Sequence, residues 1–195
     1  MTPEAALAIL RDKKADTVAF RAATAVVCRN LVEKMRTHLQ EENKSLENVV
    51  IVMILRAAFA FMNAAMKEFS QAPVAVLGMK RDEKTLEPHW YYENLPPLSR
   101  ESILVIFDPM LATGGSAEAA IKRLQKHGAN LANIYFVGII AAPEGFSRIA
   151  KLIHDENILL GRLDEKLDER GMIVPGLGDF GDRFFGYTDR GVIDV

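Results

Sequence analysis

The stretch Asp108-Pro109-Met110-Leu111-Ala112-Thr113-Gly114-Gly115-Ser116 combines the residue types that hold a phosphate ester. Gly114 and Gly115 let the main chain approach an anion closely and take φ > 0 where a turn requires it. The N–H groups from Thr113 to Ser116, at the start of a helical pattern, make a nest for negative charge. Thr113 and Ser116 add hydroxyl donors. Asp108 directly follows an apolar run and can face ribose hydroxyls or a Mg²⁺ ion carried by the ligand. A bare TGGS is weak evidence, because a Ser-capped strand–helix turn uses the same residues. Strand, acid, small-residue loop and helix in one package are far more specific. No Gly-Lys-Thr/Ser follows, so this is not a Walker A loop, and GxGxxG spacing is absent.

Three further places carry chemistry. Arg56 follows seven apolar residues, at the end of a buried strand, where a guanidinium can grip diphosphate oxygens with two bonds. Its bland reading is a surface ion pair. Arg81 opens a polar stretch, and on charge alone it is a solvated side chain. The run Pro175-Gly176-Leu177-Gly178-Asp179-Phe180-Gly181-Asp182 brings glycines close together, as a pocket does that reads a small planar base with main-chain groups. The alternative is a glycine-rich loop of purely structural use. His38, His89, His127 and His154 are dispersed and no CxxC occurs, so no protein zinc site is expected. Neither the serines nor Cys28 sit in a nucleophile elbow, which argues against a covalent mechanism.

These residues need elements to place them. Helices are expected over residues 3–10, with Thr2 as cap, and over 16–42. In the second, Phe20, Ala23, Val27, Leu31 and Met35 form one stripe for the core or a subunit interface. Residues 49–55 are a continuous, β-branched run, the mark of a strand buried on both faces. Further strands are expected at 74–79, 102–107, 134–141 and 158–161, and helices at 59–69, 116–127 and 144–153. Residues 81–98 hold three prolines and no sustained period, and read as a long loop with room for a short hairpin. The tail, 173–195, reads as irregular. Alternating strands and helices predict an open, mainly parallel, doubly wound α/β sheet in a single domain, 1–195, with ligands at the carboxyl strand ends.

At this point the motifs carry a resemblance. Asp108 to Ser116 resembles the loop of uracil phosphoribosyltransferases that binds PRPP, 5-phosphoribosyl 1-diphosphate. Asp108-Pro109 stands where most other phosphoribosyltransferases have two acids. Ile54-Leu55-Arg56-Ala57 resembles the diphosphate loop, and Arg81 to Pro88 the loop that closes over PRPP. Residues 173–186 resemble the uracil-binding region, and LRDK at 10–13 and AAPEG at 141–145 are similar too. The resemblance spans nearly the whole chain and implies a type I phosphoribosyltransferase sheet with a glycine-rich C-terminal base-binding region. It implies a Mg²⁺-dependent transfer from PRPP to uracil, giving UMP and diphosphate. It makes Arg81, Asp108 and Asp179 the catalytic residues. PRPP would be bound by Arg56, Arg81, Asp108, Pro109, Met110, Leu111, Ala112, Thr113, Gly114, Gly115, Ser116 and Asp179. Uracil would be held by Ile173, Gly178, Asp179 and Phe180. Departures from the family are Met53 for proline, Ala58 for glycine, Asp168 for asparagine, and no β-arm between the first long helix and the first core strand.

Bulk properties set outer bounds. The chain has 195 residues, 49% hydrophobic and 26% charged, with a formal net charge of −2, so no global charge favours nucleic acid or an anionic membrane. The single cysteine excludes an internal disulfide and fits a reducing cytoplasm. Residues 1–4 show no basic run leading into an apolar one, and no apolar run nears the length of a membrane span, so neither a leader nor a membrane segment is expected. The expected partners are therefore uracil, PRPP and further copies of the chain in a homodimer or larger homo-oligomer, with neither nucleic acid nor membrane. Two alternatives stay open: a non-catalytic PRPP or nucleotide sensor on the same fold, and a transferase for another pyrimidine-like base.

Overall fold

The computed structural model describes residues 1–81 and 88–187. Residues Asp82 to Glu87, expected in the loop that closes over PRPP, the side chains of Arg81 and Pro88, and the tail beyond Tyr187 lie outside the described residues.

Helix α1 (Pro3–Arg11) begins where the Thr2 hydroxyl accepts the Ala5 N–H at 3.2 Å. Helix α2 (Thr17–Glu41) is capped by Asp16, which accepts the Ala19 N–H at 2.8 Å. The α2 stripe from Phe20 to Met35 is buried in the core, so that face is not a subunit surface. A short 3₁₀ turn, Leu46–Asn48, leads straight into strand β1 (Val49–Leu55), with no arm between. Helix α3 (Met62–Glu68) is shorter than expected, because residues Ala57–Phe61 form a 3₁₀ turn.

Strand β2 (Val74–Arg81) pairs antiparallel with β3 (Pro88–Asn94), so the stretch 81–98 is part of the hairpin for which it had room and not a loop throughout. Trp90, Tyr91 and Tyr92 are strand formers, and proline is tolerated at a strand's first position. Strand β4 (Ile103–Phe107), the two-residue β5 (Met110–Leu111), helix α4 (Gly115–Lys126), strand β6 (Ile134–Ala141), helix α5 (Pro143–Ile149) and strand β7 (Ile158–Leu163) follow. The C-terminal region is more regular than expected. Strands β8 (Lys166–Leu167) and β9 (Ile173–Val174) pair antiparallel, and helix α6 (Phe180–Phe185) starts at Asp179.

In the main sheet β2, β1, β4, β6 and β7 lie side by side and parallel, and β3 adds an antiparallel edge. Strand β5 continues the line of β4 along β6 with no change of register: Phe107 faces Val137, and Met110 faces Ile140. Alternate residues serve opposite faces. Val49, Ile51 and Met53 pack with α1 to α3, while Val50, Val52 and Ile54 pack toward α4 and α5. A sheet covered on both sides needs the continuous apolar runs seen in β1, β4 and β6. From β1 the chain crosses to β2 on one side, and from β4 to β6 on the other. The order therefore reverses between β1 and β4, and ligands bind at the carboxyl end of such a switch point.

Candidate active site

A cavity of about 700 Å³ opens at that switch point. Its lining includes Arg56 past β1, Lys80 on β2, Asp108, Ala112 and Ser116 past β4, and Ile173 and Gly178 to Gly181 from the C-terminal region. Four segments far apart in sequence thus meet in one concavity of the size that small-molecule sites use.

The loop after β4 is anchored before it is free to bind. The Pro109 carbonyl accepts the Ile139 and Ile140 N–H groups at 3.0 and 3.1 Å, and the Leu111 carbonyl accepts the Ala142 N–H at 2.9 Å. The Leu111 side chain is core. Pro109 and Leu111 therefore hold the loop's base, whereas Met110, Ala112 and Ser116 face the cavity. Asp108 Oδ1 accepts the Met110 N–H at 3.3 Å, which orients the carboxylate at the loop entrance. Gly114 takes φ 75°, a left-handed conformation, as the N-cap residue just before α4. The backbone N–H groups that follow belong to a helix start with no side-chain cap bond.

A support absent from the sequence reading lies beneath the loop. Gly145, in the first turn of α5, is pressed against it: a Cβ there would come 2.4 Å from the Ala112 carbonyl oxygen and 2.7 Å from that of Leu111. Arg148, one turn further on, pairs with Glu118 and reaches the Thr113 carbonyl at 3.4 Å. This explains the glycine of AAPEG.

Arg56 sits with its guanidinium 5.7 Å from the Phe185 ring centre and 5.5 Å from that of Tyr187. The peptide bond before it is cis. Asp179 Oδ1 accepts the Asp182 N–H at 2.8 Å and caps α6, so one of its oxygens has structural work. Partial burial, and next the charge of Asp179, hold the Asp182 carboxyl above its ordinary range, with Arg56 pulling the other way. Asp182 thus feels both Asp179 and Arg56 at this end of the site.

Two departures lose their force in this geometry. Ala58 is fully buried in the core on the α2 side and does not line the cavity. Asp168 Oδ1 accepts the Arg170 and Met172 N–H groups, both at 2.9 Å, and so turns the β8–β9 hairpin. An asparagine oxygen would serve that turn equally. The sequence reading also missed Lys80, Met79, Tyr91 and Met172, all of which line the cavity. The first two follow from the parallel pairing of β1 and β2, since Leu55 faces Gly78. Tyr91 depends on β3 being a strand.

The uracil phosphoribosyltransferase family model matches residues 2–187. The chain belongs to that family. A uracil phosphoribosyltransferase of Clostridium acetobutylicum is 41% identical over 194 residues, 92% of each chain. A solved structure of an Aquifex aeolicus protein is 34% identical, with a TM-score of 0.83 over 96% of this chain and 95% of that one. A hypoxanthine-guanine phosphoribosyltransferase of L. donovani is only 8% identical and shares the fold, with a TM-score of 0.54 over 76% of this chain and 84% of that one. Family and geometry coincide at the cavity, which takes Asp108, Met110, Ala112 and Ser116 from the first glycine-rich motif and Gly178 to Gly181 from the second, while Thr113, Gly114 and Gly115 do not line it. Among the described residues, no helix is long and apolar enough to cross a membrane, and no group of three or more potential metal ligands occurs.

Proposed function

We propose that the protein transfers the 5-phosphoribosyl group of PRPP to uracil, forming UMP and diphosphate. One observation carries this reading: within a chain of this family, Asp108, Met110, Ala112 and Ser116 of the phosphate-type loop share one cavity with Gly178 to Gly181 of the PGLGDFGD segment. The 5′-phosphate belongs on the N–H groups from Ala112 to Ser116, at the start of α4. Arg56 takes the diphosphate, and Asp108 the ribose hydroxyls. Main-chain groups of Ile173, Gly178 and Phe180 match the O2, N3–H and O4 of uracil. Uracil N1 attacks C1 of the ribose as the bond to diphosphate breaks, through a transition state like an oxocarbenium ion, and the N1 proton passes to water. The protein's task is to align the two partners and to stabilise the leaving diphosphate with Arg56 and Arg81.

The donor set also suits Mg²⁺. Asp108 and Asp179 offer two carboxylates to one cavity and no full protein cage, the arrangement for an ion that keeps waters and binds substrate phosphates. When bound, that ion would offset charge on the diphosphate. Cys28 is free and buried, in keeping with a reaction in the cytoplasm.

Base choice is tested by chromatography of the products from PRPP with uracil, cytosine, hypoxanthine or orotate. Uracil is expected to be preferred, and a clear preference for another base sinks the assignment. The phosphate loop is tested by Thr113→Ala. A lost hydrogen bond to a charged group costs about 1.5–3 kcal/mol, so the calorimetric Kd for PRPP should rise roughly 10–150-fold in a folded protein. Unchanged affinity makes the loop a structural turn.

Self-association is the other part of this reading. Trp90, Tyr91 and Tyr92 are 40%, 57% and 50% exposed on an edge strand, more aromatic surface than a solvated edge needs. Light scattering at micromolar concentration should give at least a dimer, and Trp90→Lys should weaken it. A fully active monomer contradicts it.

A further inference from the structure

Arg11 ends α1, and Asp164 follows β7, 153 residues away in sequence. They meet as a two-pronged pair: Arg11 Nη2 lies 2.5 Å from Asp164 Oδ1, and Nη1 lies 3.0 Å from Oδ2. The Asp164 side chain is only 1% exposed. A carboxylate so buried is costly unless paired, and replacing it by apolar residues is often neutral or stabilising. Stability alone is therefore a weak reason for a charge here, and its other contacts indicate a use.

Both members hold the same residue. The Gly176 N–H donates to Asp164 Oδ2 at 2.9 Å, and the Gly176 carbonyl accepts from Arg11 Nη1 at 2.8 Å. Both main-chain polar groups of Gly176 are thereby engaged. Gly176 takes φ 61°, and a Cβ there would lie 2.1 Å from the Ile173 carbonyl oxygen, so the loop closes tightly on itself. Asp164 is in turn tied to the sheet, its N–H donating to the Ala141 carbonyl at 2.8 Å. Arg183 closes the arrangement from the far side, donating to the Leu10, Leu177 and Asp12 carbonyls at 2.5, 2.7 and 2.7 Å. The clamped turn separates Ile173 from Gly178, the two walls of the base end of the cavity. The phosphate loop lies on other supports, Gly145 and β6.

We propose that Arg11 and Asp164 are positioning residues for the pyrimidine: they fix the main-chain groups that read the base and leave PRPP binding to the other half of the cavity. The inference rests on the proposed reaction, and wild-type turnover of uracil is its reference. Steady-state rates with both substrates varied test it. Misplacing a site by about 1 Å can cost about 10²-fold, so Arg11→Ala should raise the KM for uracil by about 10- to 100-fold and leave the KM for PRPP within about twofold. Guanidinium ion at millimolar concentration should restore part of the uracil affinity of Arg11→Ala and do nothing for the wild type. Asp164→Asn keeps an acceptor for the Gly176 N–H but loses the charge that orients Arg11. It should move the same KM in the same direction by less, and it carries the test if Arg11→Ala does not fold. Equal rises in both KM values, or an unchanged KM for uracil in a folded variant, overturn the proposal while the reaction stands.

Discussion

Gly145→Ala is expected to lower kcat/KM for PRPP by about 10²-fold, although Gly145 is outside the loop that binds the phosphate. The reason is steric. The added methyl would sit 2.4 and 2.7 Å from two main-chain oxygens, those of Ala112 and Leu111. Backbone cannot rotate away as a flexible side chain can, so either α5 or the loop must shift. The loop is tied to β6 through the Pro109 and Leu111 carbonyls, and α5 is packed into the core through Ile149. Overpacking of this kind typically costs about 1–3 kcal/mol, so a lower melting temperature should accompany the kinetic loss. Circular dichroism and initial rates check both. An Ala variant with wild-type kcat/KM shows that the loop geometry does not depend on this contact.

Arg56→Ala is expected to raise the KM for PRPP by roughly 10–150-fold, the size of one lost charge-assisted bond at about 1.5–3 kcal/mol. Arg56 stands at the end of a rigid strand, and the Phe185 and Tyr187 rings flank its guanidinium. The group is in place before ligand arrives, so its loss should appear in ground-state binding as well as in the barrier. Lysine should restore little, because it has neither the planar fork nor the flat face that rests on an aromatic ring. Initial rates across PRPP concentrations decide this. A fall in kcat with unchanged KM in Arg56→Ala would mean that the contact forms only in the transition state.

Much of this was legible in the sequence, for identifiable physical reasons. Strands β1, β4 and β6 are buried on both faces, which forces unbroken apolar runs, and the loop after β4 follows from where such a run stops. Strand β3 was hidden because an exposed edge strand need not alternate, and its prolines and charges imitate a loop. Helix α6 has six residues, too few for a helical period to show. Gly145 showed only as part of the AAPEG resemblance, with nothing to say what it touches, and Asp164 carried no local signal. One matters for the atoms it lacks, and the other is a carboxylate beside Glu165 and near Asp168, distinguished only by a partner at the opposite end of the chain. Contacts of that kind follow from topology, and spacing along the chain does not reveal them.

The central claim is that one cavity brings PRPP and uracil together for chemistry. Its most direct test is to incubate the protein with PRPP, Mg²⁺ and labelled uracil, and to measure UMP and diphosphate against time. The account predicts that both products appear in equal amounts, and that neither forms without uracil. Saturable PRPP binding by calorimetry with no diphosphate release in the presence of uracil would contradict it, and would make the protein a sensor built on an enzyme's fold.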